Sequence, residues 1–189
     1  MNTKSLLLFL IGVVSGILFL SSCSDEEEVW DPREHSGWGV FKGTVNGENV
    51  SIENNVHNRY LNCTPQREVW DPNIIKGISI GMVLNDSDHL GISLYRLTEG
   101  MRFVTKNYDP EYNSDAIQFW RTVIPKDSYS YDVLYSPKKD KPFKIKITEL
   151  TYYDNSAFVR VTAQLDGVLY SDDNPQQDSV VIKAVFGVR

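Results

Sequence analysis

Apolar and polar residues alternate along much of this chain, and that period of two residues is the feature that most restricts its fold. The alternation recurs in five segments, at residues 78–84, 90–94, 143–148, 158–165 and 180–188. Successive side chains of a β-strand point to opposite faces, so each segment is expected to bury one face and expose the other. No segment shows a sustained helical period.

Turn-forming residues separate these runs. Asn46-Gly47 lies between two short alternating segments and predicts a tight β-hairpin. Asp166-Gly167 has the same chemistry and predicts a second hairpin, between residues 157–165 and 168–170. Longer polar turns are predicted at residues 85–88 and 172–175.

Together these signals predict an all-β fold of roughly ten short strands in a single domain at residues 38–189. We favour an antiparallel β-sandwich. A closed or partly closed β-barrel is the alternative, because alternation and turns do not distinguish the two closures.

The N-terminus has the pattern of a signal peptide. Lys4 precedes an apolar run from Leu6 to Leu20, and Ser21-Ser22 lead into Cys23. The run is shorter than the roughly 20 residues that a membrane-spanning helix needs. The ending Leu20-Ser21-Ser22-Cys23 resembles the lipobox of bacterial lipoproteins. That resemblance implies cleavage after residue 22 and acylation of Cys23, with palmitate-type chains as the membrane anchor.

Residues 23–37 form an acidic tether that begins directly after the cysteine. Its first residues are Ser24, Asp25, Glu26, Glu27 and Glu28. They resemble the signal that sends lipoproteins of Bacteroidetes-type bacteria to the cell surface, which implies a lipid-anchored outer-membrane protein facing the exterior. A solvated, self-repelling linker is the alternative interpretation.

The order of elements in the remainder resembles a family. A hairpin on residues 43–48 is followed by a lysine-rich strand at 144–147, then by Tyr152-Tyr153-Asp154-Asn155 and a closing strand. This resembles small Bacteroidetes-type lipoproteins that carry an all-β domain of unknown function. The resemblance brings no catalytic residues.

Charge and cysteine content exclude several classes of function. The formal net charge is −6 at pH 7, so the chain lacks the basic footprint of a nucleic-acid-binding protein. With Cys23 acylated, Cys63 is the single remaining thiol, and no intramolecular disulfide can form. We expect Cys63 to be a small buried apolar side chain.

No catalytic set or cofactor site is evident. Gly77-Ile78-Ser79-Ile80-Gly81 matches the G-x-S-x-G pattern of a hydrolase nucleophile, but that chemistry needs a helix after the second glycine. The strand alternation instead continues through Met82, so we assign this segment to a strand.

The candidates for metal binding and for carboxylate catalysis are acidic residues in predicted loops. The histidines and cysteines show no ligand spacing, and we predict no metal site or cofactor. Acidic residues in turns could hold calcium or, as a pair across a cleft, hydrolyse a glycosidic bond. The calcium candidates are Asp86, Asp88, Asp172, Asp173 and Asp178, and the loop candidates for glycoside hydrolysis are Asp109, Glu111 and Asp115.

The surplus of aromatic residues is the strongest indication of a binding surface, because rings stack on sugars and exposed tryptophans mark recognition sites. If Ile117 and Phe119 face the core, Trp120 points outward, near Tyr108 and Tyr112 of the preceding loop. The alternative is that Trp120 covers the core. Trp70 and Trp38 are further candidates for the same surface.

The sequence thus predicts a lipid-anchored envelope protein that binds a glycan, the matrix or another envelope protein. The sequence favours a binding or structural protein over an enzyme. The alternatives are a hydrolase such as a glycosidase, using carboxylates of the 109–115 or 172–178 loops, and a periplasm-facing factor in envelope assembly.

Overall fold

A computed structural model of the chain describes residues 39–54, 60–68, 70–71, 74–107, 114–126, 128–152 and 159–188. These residues all belong to one compact unit. The predicted signal peptide and the tether lie outside the described residues. No helix in the described ranges has the length and apolar character that crossing a bilayer requires.

Eleven strands make up the described part of the chain. In order they are β1 Gly39–Val45, β2 Glu48–Glu53, β3 Leu61–Arg67, β4 Ile75–Val83, β5 Asp88–Tyr95, β6 Gly100–Val104, β7 Ala116–Val123, β8 Tyr131–Ser136, β9 Phe143–Tyr152, β10 Val159–Ser171 and β11 Ser179–Val188.

All eleven strands pair antiparallel in one sheet that branches at β10. One edge of β10 pairs with β11, which continues to β1 and β2. On the opposite edge, residues 159–166 pair with β9, which leads to β6, and residues 170–171 pair with β8. Beyond β8 the order is β7, β5, β4 and β3. We call β6-β9-β10-β11-β1-β2 the first arm and β8-β7-β5-β4-β3 the second arm.

The sheet curls into a half-barrel, so that β3 at the end of the second arm lies against β1 and β11 of the first. The inward residues of both arms form one core. Its largest fully buried side chains include Phe41, Phe119, Phe143 and Phe186. The prediction of an antiparallel all-β fold is therefore confirmed. The two arms face each other as sandwich layers do, but their hydrogen bonding is continuous, as in the partly closed barrel.

The first predicted hairpin is confirmed. Asn46 and Gly47 join β1 to β2 with φ angles of 53° and 82°, the left-handed conformations that a type I′ turn requires. Asn46 also accepts a hydrogen bond at Oδ1 from Val181 N, at 2.8 Å. The turn is thereby tied to β11 as well as to its own strands.

The second predicted hairpin is wrong. Asp166 and Gly167 lie in the middle of β10, where they pair with Lys183 and Ile182 of β11. The glycine is there for packing, because a Cβ atom at Gly167 would lie 2.6 Å from Cδ2 of Phe143. Gly167 thus makes room for a core ring instead of forming a turn.

The alternation of burial along β11 gives a direct test of the register. Ile182 is fully buried and its neighbour Val181 is 48% exposed. We expect Ile182→Ala to lower the free energy of unfolding by about 2–5 kcal/mol, because it leaves a cavity in the core. The matched control Val181→Ala should cost less than about 1 kcal/mol. Urea unfolding of both variants checks this, and equal losses would contradict the register.

Candidate functional site

A row of apolar and aromatic side chains crosses the outer face of the second arm. The strand registers place Val83 opposite His89, His89 opposite Trp120 and Trp120 opposite Leu134. Tyr60, just before β3, extends the row, since its carbonyl accepts a hydrogen bond from Val83 N at 2.8 Å. We call these five residues the outer row. Neighbouring strands lie about 4.8 Å apart, so the row is about 19 Å long.

A ring stack forms the centre of the outer row. The rings of His89 and Trp120 are 5.4 Å apart between centroids and 5° from parallel. Both side chains are half-buried, whereas Phe119, on the opposite face of β7, is completely buried. Trp120 therefore points outward, as we expected if Ile117 and Phe119 faced the core. It is partly covered by its cross-strand neighbours.

A strip of small residues borders the outer row on the same face. In the next register positions Gly81 of β4 lies opposite Gly91 of β5, and Ser79 lies opposite Ser93. A Cβ atom at Gly81 would meet no atom within 4 Å, so the strip is open there. It is closed at Ser93, which is fully buried. The surface is therefore lower along the strip of small residues than along the outer row, and an extended ligand could lie along this step.

On the inner face, an ion pair joins β5 and β7, the two strands that carry His89 and Trp120. Arg121 donates from Nε and Nη2 to the two carboxylate oxygens of Asp88, at 2.6 and 2.9 Å. Asp88 and His89 are consecutive on β5, and Arg121 and Trp120 are consecutive on β7. The register of β5 against β7 is thus held by a bidentate ion pair on one face and by the ring stack on the other.

The turn before β5 presents the Asp88 carboxylate to Arg121. Asn85 Oδ1 accepts hydrogen bonds from the backbone nitrogens of Ser87 and Asp88, at 2.9 and 2.8 Å. Burial raises the pKa of Asp88, but hydrogen bonds from Arg121 and Asn85 and the charge of Arg121 outweigh burial and lower it overall. The carboxylate of Asp88 is therefore ionised at neutral pH and engaged in the ion pair with Arg121.

Tyr135 of β8 extends the polar cluster toward the loop between β10 and β11. Its hydroxyl donates to Asp178 Oδ2 at 2.8 Å, and its ring meets Phe119 edge-on at 5.5 Å between centroids. Burial, followed by the hydrogen bond to Asp178 and its charge, raises the pKa of Tyr135 to about 12. The phenol stays protonated at neutral pH, so its role here is structural support.

A small cleft opens beside the ion pair, between the β1–β2 hairpin and the β4–β5 turn. Its volume is about 180 Å³, and it is lined by Val45, Asn46, Glu48, Val50, Leu84, Asn85, Asp88 and Arg121. Ligand pockets usually measure about 300–1,000 Å³. The cleft is therefore too small for an oligosaccharide.

The predicted aromatic residues do not form one group. Trp70 lies between β3 and β4 and is 92% exposed. That loop is at the end of β4 away from Val83 and thus away from the outer row. Trp38, Tyr108 and Tyr112 lie outside the described residues, as do Cys23, Ser24, Asp25, Glu26, Glu27 and Glu28. Of the two aromatic candidates among the described residues, Trp120 lies on the outer row and Trp70 does not.

Several of the candidate carboxylates in the described ranges make structural contacts. Asp115 pairs with Arg102 at 2.9 Å and accepts a hydrogen bond from Tyr95 N at 2.8 Å. Asp172 accepts a hydrogen bond from Ser136 Oγ at 3.3 Å. Asp109 and Glu111 are outside the described residues. No group of three or more His, Cys, Asp or Glu side chains in the described ranges is arranged to hold a metal ion.

Neither Ser79 nor Cys63 is placed as a nucleophile. Ser79 lies within β4, between its partners β3 and β5, and its hydroxyl receives a hydrogen bond from Gln66 Nε2 at 2.6 Å. Cys63 packs against the core, and burial raises the pKa of its thiol to about 11. Both observations agree with the structural roles expected from the sequence.

Sequence reasoning missed His89 and Arg121. We considered His89 only as a metal ligand, and Asp88 only as one acid in a turn. The stack and the ion pair both require the pairing of β5 with β7, although 20 residues separate the two strands. A polar residue at an inward position of each strand, Asp88 in one and Arg121 in the other, is the signal that could have revealed them.

The described domain is a curled, eleven-stranded antiparallel β-sheet protein with an aromatic row on one outer face. The chain belongs to the family described as Domain of unknown function (DUF5025), whose model matches residues 38–189. This family supports the domain-of-unknown-function part of the resemblance found in the sequence. No curated protein and no solved structure matches the chain.

The Asp88–Arg121 pair makes stability depend on pH. We expect Asp88→Asn to lower the free energy of unfolding at neutral pH by about 2 kcal/mol, since it leaves Arg121 without its partner. The loss is smaller than for a fully buried pair, because the Arg121 side chain is 35% exposed and partly screened by water. Because folding lowers the pKa of Asp88, its contribution is present above the unfolded pKa, near 4, and is lost as the pH falls through the folded pKa.

Urea unfolding of the wild type and Asp88→Asn across a pH series measures this effect. The difference between the two proteins should be constant near neutral pH and shrink below about pH 4. Asp86→Asn, in the same turn but exposed, serves as the control and should change little at any pH. A difference that persists undiminished in acid would refute the assignment to the ion pair.

Proposed function

We propose that this protein is a lipid-anchored envelope protein that binds an extended glycan across the outer row. The observation that carries the proposal is the half-buried Trp120, held against His89 beside the open strip at Gly81. Apolar ring faces stack on the C–H faces of sugars, while hydroxyl groups need polar partners nearby.

The composition of the outer face fits this role. Beside the outer row, the same face carries the hydroxyls of Ser79 and Thr64 and the amide of Gln66. Thr64 lies opposite Ser79 in the pairing of β3 with β4. The row supplies apolar contact at both ends, because Tyr60 and Leu134 are each 39% exposed. A row about 19 Å long suits a chain of several sugars better than a single sugar.

Anchoring is a separate part of the proposal and rests on sequence. The apolar leader, Ser21-Ser22-Cys23 and the acids after the cysteine support processing at residue 22 and transfer to the cell surface. A single acyl chain binds a membrane marginally, whereas two or more hold a protein stably. The tether spans at most about 50 Å, so a surface glycan near the membrane would be within reach.

Glycan binding is tested by removing the central ring. We expect Trp120→Ala to weaken binding to an oligosaccharide found on a glycan array by about tenfold, on the scale of the roughly 1–3 kcal/mol that a nucleic-acid base gains by stacking on an aromatic side chain. Trp70→Ala is the matched control, since this exposed tryptophan lies at the end of β4 away from the outer row, and it should leave affinity unchanged. Calorimetric titration measures both.

Two results would count against the glycan proposal. One is an array on which the folded wild-type protein shows no binding above background. The other is an affinity that depends on Trp70 and not on Trp120.

Anchoring is tested by changing the cysteine. Cys23→Ser should block acylation, so that the leader remains attached and the protein is not transferred to the cell surface. Mass spectrometry of the native protein should show acyl groups on Cys23, and protease treatment of intact cells should release the domain if it faces outward. An unmodified Cys23 in the native protein would disprove the anchor and leave the glycan proposal untouched.

A further inference from the structure

A second feature occupies the outer face of the first arm. Lys144 of β9 lies opposite Asp166 of β10, which lies opposite Lys183 of β11. In the neighbouring register positions, Lys146 and Lys42 face outward from β9 and β1, and all four lysines are exposed. We call Lys42, Lys144, Lys146 and Lys183 the lysine face. With strands about 4.8 Å apart, Lys144 and Lys183 are about 10 Å apart, and Lys146 and Lys42 about 14 Å.

The loop before β9 adds to this positive charge. Lys138 and Lys141 lie over the ring of Tyr170, an outward residue of β10, with Nζ at 4.1 and 5.6 Å from the ring centroid. Residues 138–146 contain five lysines and one aspartate, in a chain with a formal net charge of −6. Positive charge is thus concentrated on the first arm of an otherwise acidic protein.

Part of this charge is uncompensated. The ion pairs of Lys76, Arg102 and Arg121 lie elsewhere in the described part of the chain. Lys144, Lys146 and Lys183 make no ion pair with a described residue, although Asp166 lies between two of them in the register. Their ammonium groups are therefore available to an external anion.

Exposed apolar side chains border the lysines. In β6, Phe103 lies opposite Lys144 and Met101 opposite Lys146, and they are 63% and 50% exposed. Val181 of β11 is 48% exposed on the same outer side. Lysines and apolar side chains on one face are the combination that binds at the boundary between lipid headgroups and acyl chains.

We propose that the lysine face docks onto the surface of an anionic lipid bilayer. Lys144, Lys146 and Lys183 would contact lipid phosphates, and Phe103 and Met101 would enter the headgroup boundary. A soluble polyanion satisfies only the lysines and leaves the exposed Phe103 in water, so a bilayer is the better match. The proposal rests on neither glycan binding nor acylation of Cys23. Since the outer row belongs to the other arm, both faces can be occupied at once.

The experiment uses the chain from residue 24 onward, which lacks the leader and the anchoring cysteine. It retains the whole compact unit that begins at Pro32. Co-sedimentation with vesicles of phosphatidylcholine alone is compared with vesicles of phosphatidylcholine and phosphatidylglycerol in equal parts. We expect binding to the anionic vesicles only, and its loss at high salt.

Single substitutions locate the binding face. Each lysine near an anionic surface strengthens binding about fivefold, so Lys183→Gln should weaken vesicle binding about fivefold and Lys183→Gln with Lys144→Gln about 25-fold. Lys126→Gln, an exposed lysine beyond β7, is the matched control and should have no effect. Phe103→Ser should also weaken binding at low salt, because it removes the apolar contact with the headgroup boundary.

The proposal is overturned if anionic vesicles do not bind the chain, or if Lys126→Gln weakens binding as much as Lys183→Gln does. It is also overturned if inorganic polyphosphate binds the chain while anionic vesicles do not, since the face would then recognise soluble polyanions. Circular dichroism of each variant separates loss of binding from loss of the fold.

Discussion

The structure depends on how the two edges of β10 are used. One edge pairs with β11 from Val161 to Tyr170. The other edge pairs first with β9 and then, at Tyr170 and Ser171, with β8. Because β9 and β8 lead into different arms, the sheet can satisfy both sets of hydrogen bonds only by curving away from a flat plane. The curvature brings β3 against β1 and β11, and the core fills the space between the arms.

The same curvature separates the two outer faces. On both arms, the residues that alternate with core side chains point away from the core. The outer row lies on the second arm and the lysine face on the first. Their chemistry differs, since the outer row is aromatic and apolar, with small polar residues beside it, whereas the other face carries exposed lysines. Between β5 and β7, the Asp88–Arg121 pair inside and the His89–Trp120 stack outside fix one register from both sides. A slip of one residue would exchange their faces, exposing the ion pair and burying the rings.

Much of the fold was predictable because burial on a sheet leaves a local signature. Alternation identified the strands around Ile80, Ile92, Ile145 and Ile182, all of which are buried. The Asn46-Gly47 turn was predictable because its left-handed backbone demands particular residues. Asp166-Gly167 was misleading because glycine has two uses in a strand-rich chain: it permits a turn, and it also makes room for a ring. Only the position of Phe143, brought by β9, distinguishes the two uses.

By itself, the sequence determined that the chain forms strands, which residues of a strand share a face and where the first hairpin turns, since each follows from neighbouring residues. Whether the strands close as two sheets or one, which residue stacks on Trp120, and where the lysines gather were decided by the tertiary structure. Those features join residues far apart in the chain, such as Lys42 and Lys183 or Asp88 and Arg121. Strand pairing brings them together, and no local pattern encodes which strands will pair.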